Sequence, residues 1–268
     1  MSKILKLNPY ISDKIWGYEK WNLSTHKNGN SIVEGTNKTL KDTIGKDMPI
    51  LIKIIKADES LSVQVHPNDE YANKYESDNG KTECWYILDA NEDATLICGI
   101  REGLNKESFE KIIEDNKIEE CLQRISVKKG DMVYIPAGTV HAIEGGIRLL
   151  EVQQSSDVTY RLYDWGRDRD THIKKSLDVI DYKGESKAGK IENFKELVTS
   201  YFKVEKICVI DEFCSEVEED FHSITAINGC GRLECGCDFV ELPIEETIYI
   251  PNGIKYVIKG NVEIIRSY

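Results

Sequence analysis

The chain has 268 residues, and 47 acidic side chains outnumber 35 basic ones to give a formal net charge of −12. This charge disfavours nucleic acid and anionic membranes as principal partners, so any phosphate site must be a local basic pocket. No window approaches the roughly 18 apolar residues of a membrane span, and the start MSKILKLNPY lacks the apolar stretch of a signal peptide. We therefore expect a cytoplasmic globular protein.

Short strands separated by turn residues account for most of the chain, a pattern typical of an antiparallel β-sandwich or barrel. The predicted strands are 49–55, 60–66, 83–88, 94–100, 131–137, 147–153 and 158–165. Apolar residues at helical spacing predict one long helix between Asn105, a suitable N-cap, and Arg124. Residues 69–78 are predicted as a short solvated helix and the acidic run 215–221 as a solvated loop.

The pattern changes near the middle of the chain, where a polar, lysine-rich stretch (171–198) predicts a connector between two domains, 1–170 and 199–268. The segment DMVYIPAGTVHAIEGG (131–146) recurs in degraded form as ETIYIPNGIKYVIKGN (246–261), an alignment that sets His141 against Tyr256. Because only the first copy keeps the histidine, a metal site is predicted in the first domain and none in the second.

Eight cysteines are scattered along the sequence without paired CxxC motifs, although Cys235 and Cys237 lie one residue apart. In a reducing compartment this pattern predicts free thiols, mostly buried. A thiolate zinc site is the less favoured alternative.

The stretch SLSVQVHPND (60–69) alternates polar and apolar residues. Because side chains on a strand alternate faces, Ser62, Gln64 and His66 are predicted to share one face. The opposite face is then apolar and carries Leu61, Val63 and Val65.

Two further motifs add possible metal ligands, Glu83 in KTECW and His141 after the glycine turn of GTVHA. Together with Gln64 and His66 they offer nitrogen and oxygen donors that suit zinc or another first-row divalent ion. An imidazole ligand must be neutral, so metal occupancy is expected to fall as the pH drops through the histidine range. Spacing alone leaves open the alternative that separate strands hold these residues apart.

Basic side chains accompany this set, namely Lys53, Lys81 and Arg161. A lysine among isoleucines is costly to bury unless its charge is paired or used, which favours an anion site for a phosphate. The alternative is an edge strand with Lys53 solvated. Asp157, four residues before Arg161, adds a carboxylate suited to proton transfer.

Four motifs in order, SLSVQVHPND, GKTECW, IPAGTVHA and LLEVQQSSDVTYRLYDWGR, closely resemble the type I mannose-6-phosphate isomerases (phosphomannose isomerases), zinc enzymes of the cupin superfamily. The similarity begins at NPYISDKIWGYEKW and runs to about Arg167. Beyond Arg167 the similarity is weaker and rests on IYIPNG and the overall length of the chain. Longer members insert a helical domain between the segments of Glu83 and His141, so this chain resembles the compact bacterial form. The resemblance implies two cupin-type jelly-roll β-sandwiches with a few helices.

The resemblance also implies roles for individual residues. It assigns one zinc ion per chain to Gln64, His66, Glu83 and His141, and the substrate phosphate to Ser62, Lys53 and Lys81. Its implied catalytic residue is Arg161 with Asp157 as companion, and Lys81 is a further candidate for a catalytic role. The implied reaction interconverts mannose 6-phosphate and fructose 6-phosphate through an enediol, with the general base left open among Asp157, Lys81 and a metal-bound water.

Two other functions fit parts of the pattern. A non-catalytic cupin that binds a sugar phosphate, as a sensor or partner subunit, needs the same residues without turnover. A metal-dependent dioxygenase also uses two histidines and one carboxylate, but the basic cluster argues against it because oxygen chemistry needs no phosphate clamp. We expect a monomer or homodimer, in which the second domain either covers a sheet edge of the first or forms a dimer contact.

Overall fold

The computed structural model describes residues 4–268, which form a mainly β architecture, as the sequence predicts. The strands are β1 (Leu5–Asn8), β2 (Tyr10–Lys14), β3 (Gly17–Leu23), β4 (Thr25–His26), β5 (Gly29–Asn30), β6 (Ile32–Val33), β7 (Ile50–Ala57), β8 (Val63–Val65), β9 (Glu83–Ala90), β10 (Thr95–Ile100), β11 (Leu122–Ser126), β12 (Met132–Ile135), β13 (His141–Ile143), β14 (Ile147–Gln154), β15 (Tyr160–Tyr163), β16 (Gly189–Ile191), β17 (Glu196–Val198), β18 (Lys203–Glu216), β19 (Phe221–Cys235), β20 (Asp238–Glu241), β21 (Thr247–Pro251) and β22 (Lys255–Ser267). The helices are α1 (Leu40–Ile44), α2 (Asp69–Tyr75), α3 (Lys106–Glu114) and α4 (Ile173–Val179), with a 3-10 turn at Ile118–Cys121. No helix among the described residues is long and apolar enough to cross a membrane.

Two compact units divide the described chain: a central unit of residues 13–19 and 55–192, and a terminal unit of residues 4–12, 20–54 and 193–268. This division differs from the predicted boundaries at 170/171 and 198/199, because the N-terminal strand β1 pairs with β21 near the C-terminus. The predicted connector contains α4 and two short strands, of which β16 pairs with β12 and β17 with β18. The assignment of functions to the ranges 1–170 and 199–268 stays a prediction.

The central unit is built from two antiparallel sheets. One has the strand order β11-β10-β13-β8-β15, and the other includes the neighbouring strands β16-β12-β9-β14. One buried apolar cluster joins residues of both sheets, among them Trp85, Val133 and Leu149 from the one and Leu96 and Ile143 from the other. Burying an aliphatic side chain of this kind contributes about 1.5–3 kcal/mol, so this cluster fixes the two sheets against each other.

A second apolar cluster of the central unit joins β8 to the helices. Val63 and Val65 pack there with Phe109 of α3 and Leu177 of α4. The predicted apolar face of the 60–66 stretch is therefore confirmed for both valines. Leu61 instead packs in the cluster between the sheets, because the strand begins only at Val63.

The long predicted helix is shorter in the structure. It begins at the predicted N-cap, where the side chain of Asn105 accepts the backbone N–H of Ser108, and it ends at Glu114. Asn116 then takes a left-handed backbone with φ 57°, which stops the helix. The apolar residues beyond it belong to the 3-10 turn and to β11, which pairs with β10.

The terminal unit contains a sheet of order β17-β18-β22-β19-β21-β1-β6, with β20 paired to β19. Tyr256 on β22, which the repeat sets against His141, is 1% exposed. Its hydroxyl lies 2.9 Å from Nδ1 of His222 and accepts from Arg266 at 3.4 Å. Hydroxyl, imidazole and guanidinium groups thus satisfy each other at the second copy of the repeat.

All eight cysteines are free thiols, as predicted, but the expectation that most are buried is wrong. Cys84, Cys98, Cys121 and Cys235 are buried, and the other four are exposed. The exposed ones lie on the long strands β18 and β19 and on the turn after β19, where alternate side chains face solvent.

Two phenylalanines of the terminal unit provide a matched test of its core. Phe221 is 2% exposed and stacks on Tyr249 with ring centroids 5.8 Å apart, whereas Phe239 is 64% exposed. We expect Phe221→Ala to lower the free energy of unfolding in urea by about 3–5 kcal/mol, because it leaves a cavity. Phe239→Ala should change it by no more than about 0.5 kcal/mol. Equal effects would contradict the described burial.

Candidate metal centre

A row of paired residues crosses the five-stranded sheet of the central unit. His141 on β13 stands opposite Gln64 on β8, and Gln64 stands opposite Arg161 on β15. Paired residues of an antiparallel sheet project to the same face, and His66, two residues after Gln64, shares it. The sheet register therefore places four of the predicted site residues on one face.

The other sheet supplies the carboxylate. Glu83, at the start of β9, brings Oε1 to 3.4 Å from Nε2 of His141 and Oε2 to 3.7 Å from Nε2 of His66. One ligand atom from each of the three residues lies within 4.8 Å of the other two. Since none of the three is more than 1% exposed, the predicted convergence is a feature of the interior.

Backbone carbonyls fix the tautomers of both histidines. Nδ1 of His66 lies 2.8 Å from the carbonyl oxygen of Val158, and Nδ1 of His141 lies 2.8 Å from that of Thr139. Because a carbonyl only accepts hydrogen bonds, each Nδ1 carries a proton, and in the neutral imidazole Nε2 then keeps the lone pair. Both lone pairs are therefore available to a metal, in the second-layer arrangement usual for metal-binding histidines.

The glycine of the IPAGT turn sets the position of His141. Gly138 has a φ of +87°, a conformation that side chains rarely adopt, and a Cβ there would lie 3.0 Å from the carbonyl oxygen of Val179. Its N–H donates to the carbonyl of His66 at 2.9 Å. The turn thus ties the two histidine segments directly together.

Burial keeps His141 uncharged. Loss of solvation, helped by the nearby charge of Lys81, lowers the pKa of His141 to about 3. The imidazole is therefore neutral over the whole physiological range, as a metal ligand must be.

Lys81 and a second carboxylate, Glu151, lie beside the cluster. The ammonium of Lys81 donates to Oε2 of Glu83, lies 3.0 Å from Nε2 of His66 and is 4.0 Å from Oε1 of Glu151. The other oxygen of Glu151 accepts the indole N–H of Trp85 at 2.9 Å, and this ring packs edge-on against His141. Sequence reasoning gave Glu151 no role, although a carboxylate within the apolar run LLEV was a signal.

Gln64 and Ser62 adjoin the cluster. The amide nitrogen of Gln64 lies 3.3 Å from Nε2 of His141, and its oxygen accepts from the hydroxyl of Ser62 at 3.4 Å. Ser62 is 4% exposed. Rotation of the amide by half a turn exchanges its oxygen and nitrogen, and the oxygen is the atom that binds metals.

The remaining predicted site residues have no described contact with the ligand atoms of His66, Glu83 and His141. The guanidinium of Arg161 donates to the carbonyl of Asp170 at 2.6 Å, and burial lowers its pKa. Asp157 is exposed. Lys53 belongs to the terminal unit, where it is 4% exposed with its ammonium 5.0 Å from the ring centroid of Trp21. The solvated alternative for Lys53 is therefore wrong, since a cation–π contact accompanies its burial.

Two imidazole nitrogens and one carboxylate, with a neighbouring amide, form a donor set that fits zinc or another first-row divalent ion. The residues present therefore fit a metal ion, and the ion would hold the two sheets together at this point. Lys81 contacts two members of the set, Glu83 and His66, and Glu151 lies beside Lys81.

Comparison with known proteins gives consistent results. The family model for the catalytic domain of type I phosphomannose isomerase matches residues 19–102. Mannose-6-phosphate isomerase ManA of Bacillus subtilis (strain 168) is 36% identical over 98% of this chain and 98% of its own length. The mannose-6-phosphate isomerase of Streptococcus mutans serotype c is 33% identical over 100% of this chain and 99% of its own length. A crystal structure of mannose 6-phosphate isomerase from Bacillus subtilis superposes with a TM-score of 0.90 at 29% identity, covering 100% of both chains.

The lowered pKa of His141 predicts how bound metal depends on pH. Protons compete with a metal for His141 only as the pH approaches about 3, so protonation of His141 does not release metal in the ordinary histidine range. After dialysis of zinc-loaded protein, we expect bound zinc to be unchanged at about pH 5.5, roughly one unit below an unperturbed histidine pKa. Half-release near the unperturbed value, measured by atomic emission, would contradict this.

Proposed function

The chain belongs to the type I mannose-6-phosphate isomerase family, and from this premise we propose that it interconverts mannose 6-phosphate and fructose 6-phosphate, with one zinc ion held by Gln64, His66, Glu83 and His141. The observation that carries the proposal is the buried convergence of two imidazole lone pairs and a carboxylate beside a buried lysine. The paired sheets of the central unit support a cupin-type sandwich. The proposal includes a cytoplasmic enzyme acting as a monomer or homodimer.

The chemistry sets what the site must do. An aldose and a ketose exchange a proton between C1 and C2 through an enediol, so negative charge develops on O1 and O2. A bound divalent ion supplies a Lewis acid for that charge. The chain's own residues must then bind and orient the sugar, move the proton and add positive charge.

Arg161 is the residue that we assign to the added positive charge. It stands in the same row as Gln64 and His141, so its guanidinium projects from the face that carries the metal ligands. A fixed cation next to a developing oxyanion stabilises the transition state more than the ground state. Its partial burial strengthens that interaction because less water screens it.

Lys81 and Asp157 are the candidates for the group that moves the proton. Nζ of Lys81 lies 3.0 Å from Nε2 of His66, beside the ligand atoms, whereas Asp157 is exposed. This placement brings Lys81 within reach of the reacting atoms, where its ammonium can give a proton, whereas taking one requires the neutral amine. The assignment of the phosphate to Ser62, Lys53 and Lys81 stays a prediction, and the contacts of Lys81 favour its role at the reacting carbons.

The first test is a coupled assay for conversion of mannose 6-phosphate to fructose 6-phosphate. We expect activity in the purified protein, loss on chelation and recovery with added zinc. Glu83→Gln and His141→Ala should lose both bound zinc and activity, because each removes a ligand. Glu185→Gln, the same change at an exposed side chain, should alter neither. If the unmodified protein binds zinc and the sugar phosphate but shows no turnover, it is instead a non-catalytic sugar-phosphate-binding protein.

A second test addresses Arg161. We expect Arg161→Ala to lower kcat by about 10²-fold or more while zinc content is unchanged, as for removal of a transition-state hydrogen-bond donor. Arg148→Ala, at a more exposed ion pair of the same unit, is the matched control and should leave kcat within about 2-fold. An unchanged kcat for Arg161→Ala would remove that residue from the mechanism.

A further inference from the structure

The loop that follows β15 is organised around a buried carboxylate. Asp164 is 3% exposed and accepts from Arg169 with both oxygens, at 2.6 Å from Nε and 2.7 Å from NH2. NH2 of Arg167 lies 3.1 Å from Oδ1 of the same carboxylate. Two-point pairing of this kind fixes the orientation of the guanidinium as well as its distance.

Further contacts attach the loop to the start of the 60–66 stretch. The indole N–H of Trp165 donates to the carbonyl of Leu61 at 2.6 Å, and Arg167 donates to the carbonyl of Ser60. The backbone N–H of Arg167 donates to the carbonyl of Asp164 at 2.9 Å, which closes a turn. Trp165 has a φ of 55°, a conformation that persists only where surrounding contacts hold it.

The far end of the same loop holds Arg161. NH1 of Arg161 donates to the carbonyl of Asp170 at 2.6 Å, directly after Arg169 in the chain. The backbone N–H of Arg161 donates to Nδ1 of His172 at 3.2 Å, and the N–H of His172 donates to the carbonyl of Arg161 at 2.7 Å. The position of this guanidinium therefore depends on where the loop places residues 170 and 172.

The charges in the loop give Asp164 a second effect. Burial lowers the pKa of Arg161 most, repulsion by the guanidinium groups of Arg169 and Arg167 lowers it further, and Asp164 and Asp170 raise it. Of these two carboxylates, Asp164 is the buried one and pairs with both neighbouring arginines. If it were neutral, only the exposed Asp170 would offset the repulsion of Arg161 by both arginines.

We propose that Asp164 is a positioning residue for Arg161: it pairs with Arg169 and Arg167, fixes the loop 164–170 and thereby holds the catalytic guanidinium through the carbonyl of Asp170. This inference rests on the role of Arg161 given under the proposed function. Asp164 itself makes no described contact with the ligand atoms. Its effect therefore passes through Arg161 and should appear in kcat rather than in metal binding.

Asp164→Asn is the direct test, because it keeps the shape of the side chain and removes the charge and one acceptor. We expect kcat to fall about 10-fold, the loss that accompanies a misplaced catalytic group, while KM stays within about 2-fold and zinc content is unchanged. The matched control is Asp89→Asn, which makes the same change at an exposed ion pair of the central unit and should leave kcat unchanged. An unchanged kcat in a folded Asp164→Asn protein would overturn the inference.

A double-mutant cycle separates positioning from general damage. In an Arg161→Ala background we expect Asp164→Asn to lower kcat no further, since the group that it positions is gone. The same 10-fold loss in both backgrounds would overturn the inference. If Arg161→Ala alone left kcat unchanged, the proposed function of Arg161 would fail, which is a separate outcome.

Arg169→Lys covers the case in which Asp164→Asn does not fold. It keeps the positive charge but loses the two-point pairing with Asp164. We expect the same selective fall in kcat, again absent in the Arg161→Ala background. A folded Arg169→Lys protein with normal kcat would overturn the inference.

Discussion

The structure of the central unit depends on a carboxylate that has no access to solvent. A buried and uncompensated carboxylate costs several kcal/mol, so Glu83 requires positive charge or hydrogen-bond donors around it. The ammonium of Lys81 donates to it, and the neutral imidazoles of His66 and His141 stand on its two oxygens with their lone pairs exposed to the same space. A divalent cation would satisfy the carboxylate and both lone pairs at once, which is why we propose a metal site here rather than only a structural ion pair.

The packing of the two sheets against each other brings the residues of this cluster together. Apolar residues on their inner faces hold the sheets together, and the helices α3 and α4 cover the outer face of β8. The polar residue His141 lies beside Glu83, and Gln64 and Arg161 continue the same row across the five-stranded sheet. The same packing therefore positions both the proposed metal ligands and Arg161, and in our proposal the loop around Asp164 holds the guanidinium of Arg161.

Much of this arrangement follows from the sequence. Strict alternation in SLSVQVHPND predicts the shared face of Gln64 and His66, and the motifs KTECW and GTVHA add Glu83 and His141 as possible ligands. Other features rest on long-range contacts that local patterns do not encode. The contact of His66 with the backbone carbonyl of Val158 cannot be predicted from side-chain patterns. Apolar residues at helical spacing continue past Glu114, although the left-handed Asn116 ends the helix there. The pairing of β1 with β21 places both ends of the chain in one unit. Domain boundaries drawn along the sequence cannot predict this arrangement.

The central claim is that one divalent ion binds where both histidines and Glu83 converge. Anomalous diffraction from crystals grown with zinc, recorded on both sides of the zinc absorption edge, tests it most directly. We predict one strong peak per chain within bonding distance of His66, Glu83 and His141, about 2.0–2.2 Å from each ligand atom. The absence of a peak there, or a peak bound by other residues, would contradict the account.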